Sequence, residues 1–293
     1  MDNFSEIVRD YWHLYSDGKR ADIPFLTDED KVYCRNAVAI CAWRQGITIL
    51  VVTVNDTHFH LIGFGAEERM EQYRRSLVFR LKTYFAKSGK TAQTGSGLFL
   101  ACDPIRTRKE LMQKFMYVYR NCLDFFPMMP GDYPWGAGSI YFSEAGRGKG
   151  TVLSGIPVRW QRKLFRTTQK LPQDWRCDED GALMPDCFVD YRHVERLFGS
   201  VKAFIAFLYV RKEDEAAMKQ QMGKQYLAYR TLEEIRSYGE KLSGRYFKKG
   251  LRSTLPAERL KIAGILLRER KATKSEGLAR ALYLKKEDLD RLL

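Results

Sequence analysis

The chain has 293 residues, a length typical of two domains. Hydrophobic residues make up 45% and charged residues 29%, which excludes disorder or a collagen repeat along the whole chain. The net charge of +14 indicates a polyanionic partner, either nucleic acid or an anionic membrane surface.

No stretch reaches the ~18 consecutive apolar residues that a membrane span needs, and the first residues lack the pattern of a signal peptide. We therefore expect a cytoplasmic protein without a membrane span. The six cysteines form no Cys-x-x-Cys pair, so neither a zinc knuckle nor a redox dithiol is predicted. We expect reduced, mostly buried thiols.

The first part of the chain alternates strand and helix patterns. The predicted elements are, in order, a strand at 11–16, a helix from 27 to about 44, strands at 47–54 and 57–64, a helix at 66–86, a strand at 98–102 and a helix at 108–126. Thr27, with Asp30 three residues later, is typical of a helix N-cap, and Asn55-Asp56 of a tight hairpin turn. This order predicts an α+β fold, with an antiparallel sheet and helices on its faces.

Beyond residue 145 the sequence changes character. A glycine-rich segment at 146–150 predicts a loop or linker, and short elements follow to about residue 250. The last forty or so residues are helical in pattern, and 272–282 with 285–293 resemble either a helix-turn-helix or part of a small structural bundle. We therefore expect three parts: an α+β domain at 1–145, an extension at 146–250 and a helical module at 251–293.

Two of the four histidines, His58 and His60, are separated by one residue in a predicted strand. Because side chains alternate along a strand, both imidazoles are expected on one face, a geometry that suits a shared metal ion. The alternative is a pair of histidines with only local hydrogen bonds. Ile62 stands where a third histidine would complete a histidine triad, which excludes that class of nucleotide hydrolase.

The helix predicted from residue 108 has an apolar face and a polar flank. The flank carries Lys114, Tyr117, Asn121 and Asp124. Tyr117 and Asn121 are one turn apart, so both can point at a site on the sheet. The alternative for Tyr117 is an amphipathic boundary position. Tyr119 lies on the opposite flank and cannot share the role of Tyr117.

Three segments carry a family resemblance: Thr57-His58-Phe59-His60-Leu61-Ile62, Tyr117-Val118-Tyr119-Arg120-Asn121 and Asp132-Tyr133-Pro134-Trp135. With them the chain resembles the single-tyrosine HUH transposases, most of all the REP-associated tyrosine transposases and their insertion-sequence relatives. The resemblance covers about residues 8–142 and extends weakly through 189–207. It implies that residues 1–145 form an HUH endonuclease-like domain with a ferredoxin- or RRM-like layer.

The chain departs from the family pattern in two places. Asp56-Thr57 stands where the family usually has Pro-Asn before the first histidine. Cys122 follows Asn121 where the family usually has proline. Neither change removes a chemical group of the motif, and both are compatible with divergence or domestication.

The resemblance implies phosphoryl transfer on single-stranded DNA. In that family the tyrosine hydroxyl attacks a phosphodiester, leaving a 5′-phosphotyrosine and a free 3′-hydroxyl. Tyr117 would be the nucleophile, and His58, His60 and Asn121 would bind Mg²⁺ or Mn²⁺. Lys114, one turn before Tyr117, would stabilise developing charge or simply be solvated.

The same resemblance implies single-stranded or hairpin DNA as the partner rather than a membrane, bound by a monomer or homodimer in the bacterial cytosol or nucleoid. The residues expected to contact phosphates are Arg74, Arg75, Arg80, Lys82, Lys87, Lys90 and Lys114, with Arg106, Arg108 and Lys109 nearby. Tyr133 or Trp135 would either stack on an unpaired base or pack against the end of the core.

Two other functions remain open from the sequence. One is a DNA-hairpin-binding regulator that keeps the DNA surface but has lost catalysis. The other is a replication initiator or relaxase, although relaxases usually carry their tyrosine before the histidines. A covalent protein–DNA adduct would separate the first from an active transesterase.

Overall fold

The computed structural model describes residues 6–16, 24–25, 27–89, 98–124, 129–209, 232–268 and 275–290. The chain divides into two compact units. The first comprises Met1–Cys122 and Met128–Val210, and the second comprises Leu123–Pro127 and Arg211–Leu293.

The first unit contains a four-stranded antiparallel sheet, which confirms the predicted α+β fold. Its strands are β1 (Ile7–Ser16), β2 (Thr48–Val54), β3 (Phe59–Phe64) and β4 (Leu100–Thr107), in the order β2-β3-β1-β4. The central strands are therefore β3 and β1, and the register places Tyr15 of β1 opposite His60 of β3.

Helices cover both faces of this sheet. They are α1 (Asp28–Gln45), α2 (Glu67–Lys87) and α3 (Arg108–Arg120). Gly63 of β3 lies against Met70 of α2, whereas His60 of the same strand contacts Tyr117 of α3. Because residues an odd number apart on a strand point to opposite faces, α2 and α3 lie on opposite faces of the sheet.

The ends of α1 follow from local sequence. The Thr27 hydroxyl accepts a hydrogen bond from the Asp30 amide at 3.2 Å, and the Asp30 carboxylate accepts one from the Thr27 amide at 3.0 Å. This reciprocal pair is the predicted N-cap. Gly46, with a φ of 64°, ends the helix in the left-handed region that favours glycine.

Residues beyond 145 continue the first unit. They form β5 (Thr151–Val152), α4 (Val158–Leu164), β6 (Arg176–Cys177), α5 (Tyr191–Phe198) and α6 (Val201–Tyr209). The glycine-rich segment at 146–150 is a loop that belongs to this unit. It is held to the preceding residues by the Arg147 side chain, which donates to the Ile140 carbonyl at 2.8 Å. The predicted domain boundary at residue 145 therefore falls inside the first unit, which includes the residues on both sides of it.

The described part of the second unit is helical, as predicted. Its helices are α7 (Leu232–Phe247), α8 (Pro256–Arg268), α9 (Ser275–Ala281) and α10 (Lys286–Asp290). A Cβ added at Gly239 of α7 would lie 2.7 Å from Leu282 and 3.4 Å from Leu251, so these helices approach closely. The predicted boundary at 250 therefore falls inside a packed unit.

The six cysteines are free thiols, as the sequence predicts. Burial raises the pKa of Cys41 to about 11, so this thiol is protonated at neutral pH. Within the described ranges, no helix is long and apolar enough to cross a membrane.

Candidate active site

The two motif histidines lie where the turn between β2 and β3 runs into β3, His58 in the turn and His60 in the strand. The Asn55 amide donates to the His58 carbonyl at 2.8 Å, and β3 begins at Phe59. His58 therefore lies in the turn, one residue before the strand in which it was expected. The rings of His58 and His60 are adjacent, with centroids 4.8 Å apart, and perpendicular at 87°.

This turn is anchored from two sides. A buried ion pair joins Lys31 of α1 to Asp56 at 2.8 Å. On the β2 side, the Tyr133 hydroxyl donates to the Val54 carbonyl at 2.8 Å, and the Val54 amide donates to the Trp135 carbonyl at 3.1 Å. The Tyr-Pro-Trp segment thus packs against the end of β2.

Helix α3 brings the tyrosine and the asparagine to the histidines. It ends at Arg120 and continues as a 3-10 turn, Asn121–Asp124, where the sequence predicted α-helix to residue 126. The Tyr117 ring meets the His60 ring edge-on, with centroids 5.2 Å apart. Asn121 Oδ1 lies 3.0 Å from His58 Nε2. The structure thus groups Tyr117, His58, His60 and Asn121, all 3–7% exposed.

Tyr119 lies in different surroundings. Its ring packs against Phe115, Tyr141 and Phe204, with centroids 5.3–6.2 Å apart. Burial raises the pKa of Tyr119 to about 12. The two tyrosines are therefore separated as the helical pattern predicts, with Tyr117 beside the histidines and Tyr119 in an aromatic cluster.

A third histidine, His13, joins the group although the motif does not contain it. His13 Nε2 lies 3.1 Å from His60 Nδ1, and the two rings stack at 16°. Burial, with a contribution from the charge of Lys114, lowers the pKa of His13 to about 3, so it is neutral at neutral pH. From the sequence, the alternation of side chains along β1 predicts that His13 shares a face with Tyr11 and Tyr15. It does not predict that His13 lies beside His60, which belongs to another strand.

Lys114 lies one turn before Tyr117 on α3. Its ammonium group is 3.6 Å from the Glu110 carboxylate, and its side chain is 18% exposed. Its effect on the pKa of His13 indicates that its positive charge acts on the histidine cluster. Of the predicted phosphate-contacting residues on α3, Lys114 is thus the one within a turn of Tyr117, whereas Arg108 and Lys109 lie at the start of the helix.

The predicted cations of α2 lie on the other face of the sheet. Arg74 and Arg75 both pair with Glu71, and hydrogen bonding, chiefly from Arg74, lowers the pKa of Glu71 to about 2. Arg80 donates to the Phe165 carbonyl, so its guanidinium supports the fold. Lys82 and Lys87 are exposed, and Lys90 lies outside the described residues. The structure does not bring these cations together with Tyr117.

The donor atoms in the group suit Mg²⁺ or Mn²⁺. Neighbouring ligands of an octahedral ion bound at ~2.1 Å lie about 3 Å apart, the separation seen between His58 Nε2 and Asn121 Oδ1. Asn55 contacts Asn121 through Nδ2, and its Oδ1 is buried with no hydrogen-bond partner among the described residues. Among the described residues no three His, Cys, Asp or Glu side chains form a metal-binding group. An ion held by His58 and His60 would therefore need an amide oxygen, such as Asn121 Oδ1, as its third protein donor.

Comparisons with protein-family models and with curated proteins give no match. Among solved structures, the chain is similar to a REP-associated tyrosine transposase bound to a REP hairpin, with 14% sequence identity and a TM-score of 0.33. The similarity covers 59% of this chain and 88% of that chain. At this level of similarity, function has to be inferred from the residues of the site itself.

Proposed function

We propose that this chain is a metal-dependent single-strand DNA transesterase, a transposase or nuclease that cleaves and rejoins DNA through a covalent bond to Tyr117. The observation that carries the proposal is the contact of Tyr117 with His60 beside the His58–Asn121 pair. One buried site thus contains the proposed nucleophile, Tyr117, and the three proposed ligands. The histidines come from the turn and strand at 58–60, and Tyr117 and Asn121 from a segment about sixty residues later.

The chemistry fits the groups present. Tyr117 Oη forms a bond to phosphorus, the bond from phosphorus to the 3′ oxygen breaks, the phenol loses its proton and the 3′ oxygen gains one. One phosphoester replaces another, so attack by a 3′-hydroxyl reverses the step without a nucleotide cofactor. A free phenol has a pKa of about 10 and is a weak nucleophile, which is why nearby positive charge is needed.

His58, His60 and Asn121 would hold the ion, and imidazole ligands favour Mn²⁺ somewhat over Mg²⁺. The bound ion would supply positive charge to the non-bridging phosphate oxygens. Lys114 adds a positive charge on the same side of the sheet, one turn before Tyr117. The chain's own residues therefore provide the nucleophile and its orientation.

The burial of Tyr117 favours a single strand as the substrate. Its side chain is 5% exposed, and a regular duplex is too wide and stiff to fit one backbone segment into a narrow site. A flexible single strand can enter a narrower site. The net charge of +14 suits such a polyanion.

The test is covalent capture. The protein is incubated with Mn²⁺ and a pool of structured single-stranded oligonucleotides, including hairpins, and adducts are separated under denaturing conditions. We expect an adduct with the parent and with Tyr119→Phe, the matched control, and none with Tyr117→Phe. DNA affinity should stay within about threefold in Tyr117→Phe, because phosphate contacts dominate the interface.

Two results would contradict the proposal. An adduct that depends on Tyr119 would show that the nucleophile is assigned to the wrong side of α3. A parent that binds hairpin DNA but forms no adduct would instead support the hairpin-binding regulator.

A further inference from the structure

Each candidate ligand has a hydrogen-bonding partner that the motif does not assign to the site. His60 contacts His13, His58 contacts Thr57, and Asn121 contacts Asn55. We propose that His13, Thr57 and Asn55 are positioning residues that hold the three ligands with their donor atoms ready for the ion. This inference rests on the proposed metal site and goes beyond it.

His13 fixes the protonation of His60. A neutral imidazole carries one proton, and only its unprotonated nitrogen binds a metal. The 3.1 Å contact between His60 Nδ1 and His13 Nε2 holds one proton. In the arrangement that can bind metal, His60 donates this proton from Nδ1 to His13, and the lone pair is on His60 Nε2. The stacked rings of His13 and Tyr15, at 16° and 26° to His60, also fix the plane of the ligand.

Thr57 can pair with either neutral tautomer of His58. Its hydroxyl lies 2.8 Å from His58 Nδ1 and can either donate or accept. Without metal, His58 donates from Nε2 to Asn121 Oδ1, and Thr57 donates to Nδ1. With metal on Nε2, the proton sits on Nδ1 and Thr57 accepts it. The ring thus changes tautomer without creating a buried charge.

Asn55 orients the amide of Asn121. Its Nδ2 lies 2.5 Å from Asn121 Oδ1 and 3.2 Å from the Asn121 carbonyl. Two acceptors on one residue require the NH₂ end of Asn55 to face them, so its amide cannot be flipped. Asn121 Oδ1 is thereby held beside His58 Nε2. Fixing ligand orientation in this way is the usual role of residues that contact metal ligands.

The first test measures Mn²⁺ binding to the full chain by calorimetry. Loss of such a partner typically lowers metal affinity by about 10–100-fold, and we expect this for His13→Phe, Thr57→Val and Asn55→Leu. Thr57→Ser and His13→Gln keep the hydrogen-bonding group and should bind within a few fold of the parent. Tyr141→Phe, which loses a buried 2.6 Å bond to the Leu50 carbonyl, is the control for general destabilisation.

The second test needs no variant. Long-range nitrogen NMR of histidine-labelled parent should show His60 protonated on Nδ1, and His58 moving its proton from Nε2 to Nδ1 when Mg²⁺ is added. A His60 proton on Nε2 in the metal-free protein would overturn the role of His13.

The outcomes separate this inference from the proposed function. Mn²⁺ binding within twofold of the parent in all three loss variants overturns the positioning roles, whatever the adduct assay shows. Mn²⁺ binding that falls as expected, in a parent that forms no DNA adduct, overturns the proposed function alone. A parent that binds no Mn²⁺ overturns both.

Discussion

Tyr117 and Tyr119 have different chemistry because a two-residue step along a helix turns the side chain by ~200°. Tyr117 faces the imidazoles of His13 and His60. Tyr119 packs among Phe115, Tyr141 and Phe204, where burial disfavours its phenolate. At the scale of single residues, position on α3 decides which phenol lies beside the candidate ligands.

His193 gives a prediction about acid stability. The Tyr11 hydroxyl lies 2.8 Å from His193 Nε2, and burial lowers the pKa of His193. A lowered histidine pKa means that the unfolded state binds the proton more readily, so the stability of the folded state falls as pH drops below about 6.5.

His193→Gln should reduce this pH dependence by less than about 1.4 kcal/mol per pH unit, the limit for one proton. Urea unfolding of parent and variant at pH 7 and pH 5 measures the difference. Equal losses of stability in both proteins would show that His193 does not contribute.

At the scale of elements, the turn at 55–58 depends on the ion pair of Lys31 and Asp56. Both side chains are buried, at 2% and 8% exposure, and their charged atoms are 2.8 Å apart. Among the described residues, Asp56→Ala leaves Lys31 near the exposed carboxylate of Asp28, at 3.7 Å, and the Trp135 ring. Because an unpaired buried charge costs about 3–5 kcal/mol, we expect a loss of that order in urea unfolding.

The double variant Lys31→Met with Asp56→Ala removes both charges and should recover most of the lost stability. If the double variant is as unstable as the single one, the turn is held by packing and backbone contacts instead, such as the 2.9 Å bond from the Phe25 amide to the Asp56 carbonyl.

Local patterns predicted most elements of the first unit. The capping pair of Thr27 and Asp30 marks the start of α1, and the predicted apolar face of α2 is buried: Met70, Tyr73, Leu77, Leu81 and Tyr84. Each of these signals lies within a few turns of chain, so it can be read without knowing the tertiary structure.

Long-range features were not predictable in the same way. The place of His13 beside His60 depends on the register of β1 against β3, which the two strand sequences do not specify. The change from α to 3-10 geometry at Asn121 accompanies its contacts with Asn55 and His58. The sequence therefore predicts the motif residues of the candidate site but not the residues that contact them, His13 and Asn55.

At the scale of the whole molecule, charge predicts a salt-dependent interaction with DNA. For single strands, log affinity should fall with log salt by about 0.7 per neutralised phosphate. Arg74→Gln, Arg75→Gln and Lys82→Gln together should reduce this slope by up to about 2 for every sequence, less where Glu71 already neutralises the arginines.

Arg80→Gln is the matched comparison for these three changes. Because Arg80 donates to the Phe165 carbonyl, its loss should lower stability and leave the salt slope unchanged. A slope that changes only with Arg80→Gln would show that the α2 surface does not contact DNA.

The second unit gives a separate prediction about sequence preference. A deletion from residue 251 would remove Leu251 and Leu282 from their contacts with Gly239, so substitutions are the cleaner test. Changing the exposed Arg280, Lys285 and Lys286 to Gln should reduce discrimination between captured and random oligonucleotides about tenfold or more, and leave adduct formation intact. Unchanged discrimination would mean that α9 and α10 are structural.

The most direct measurement identifies the residue that carries DNA. After reaction with an oligonucleotide in Mn²⁺ or in chelator, tryptic digestion releases the peptide 115–120, in which Val118 separates the two tyrosines. Fragment masses should place the 5′-linked nucleotide on Tyr117 in Mn²⁺ and show none in chelator. Attachment to Tyr119 or to another peptide, or attachment that persists without metal, would contradict a metal-dependent site built from Tyr117, His58, His60 and Asn121.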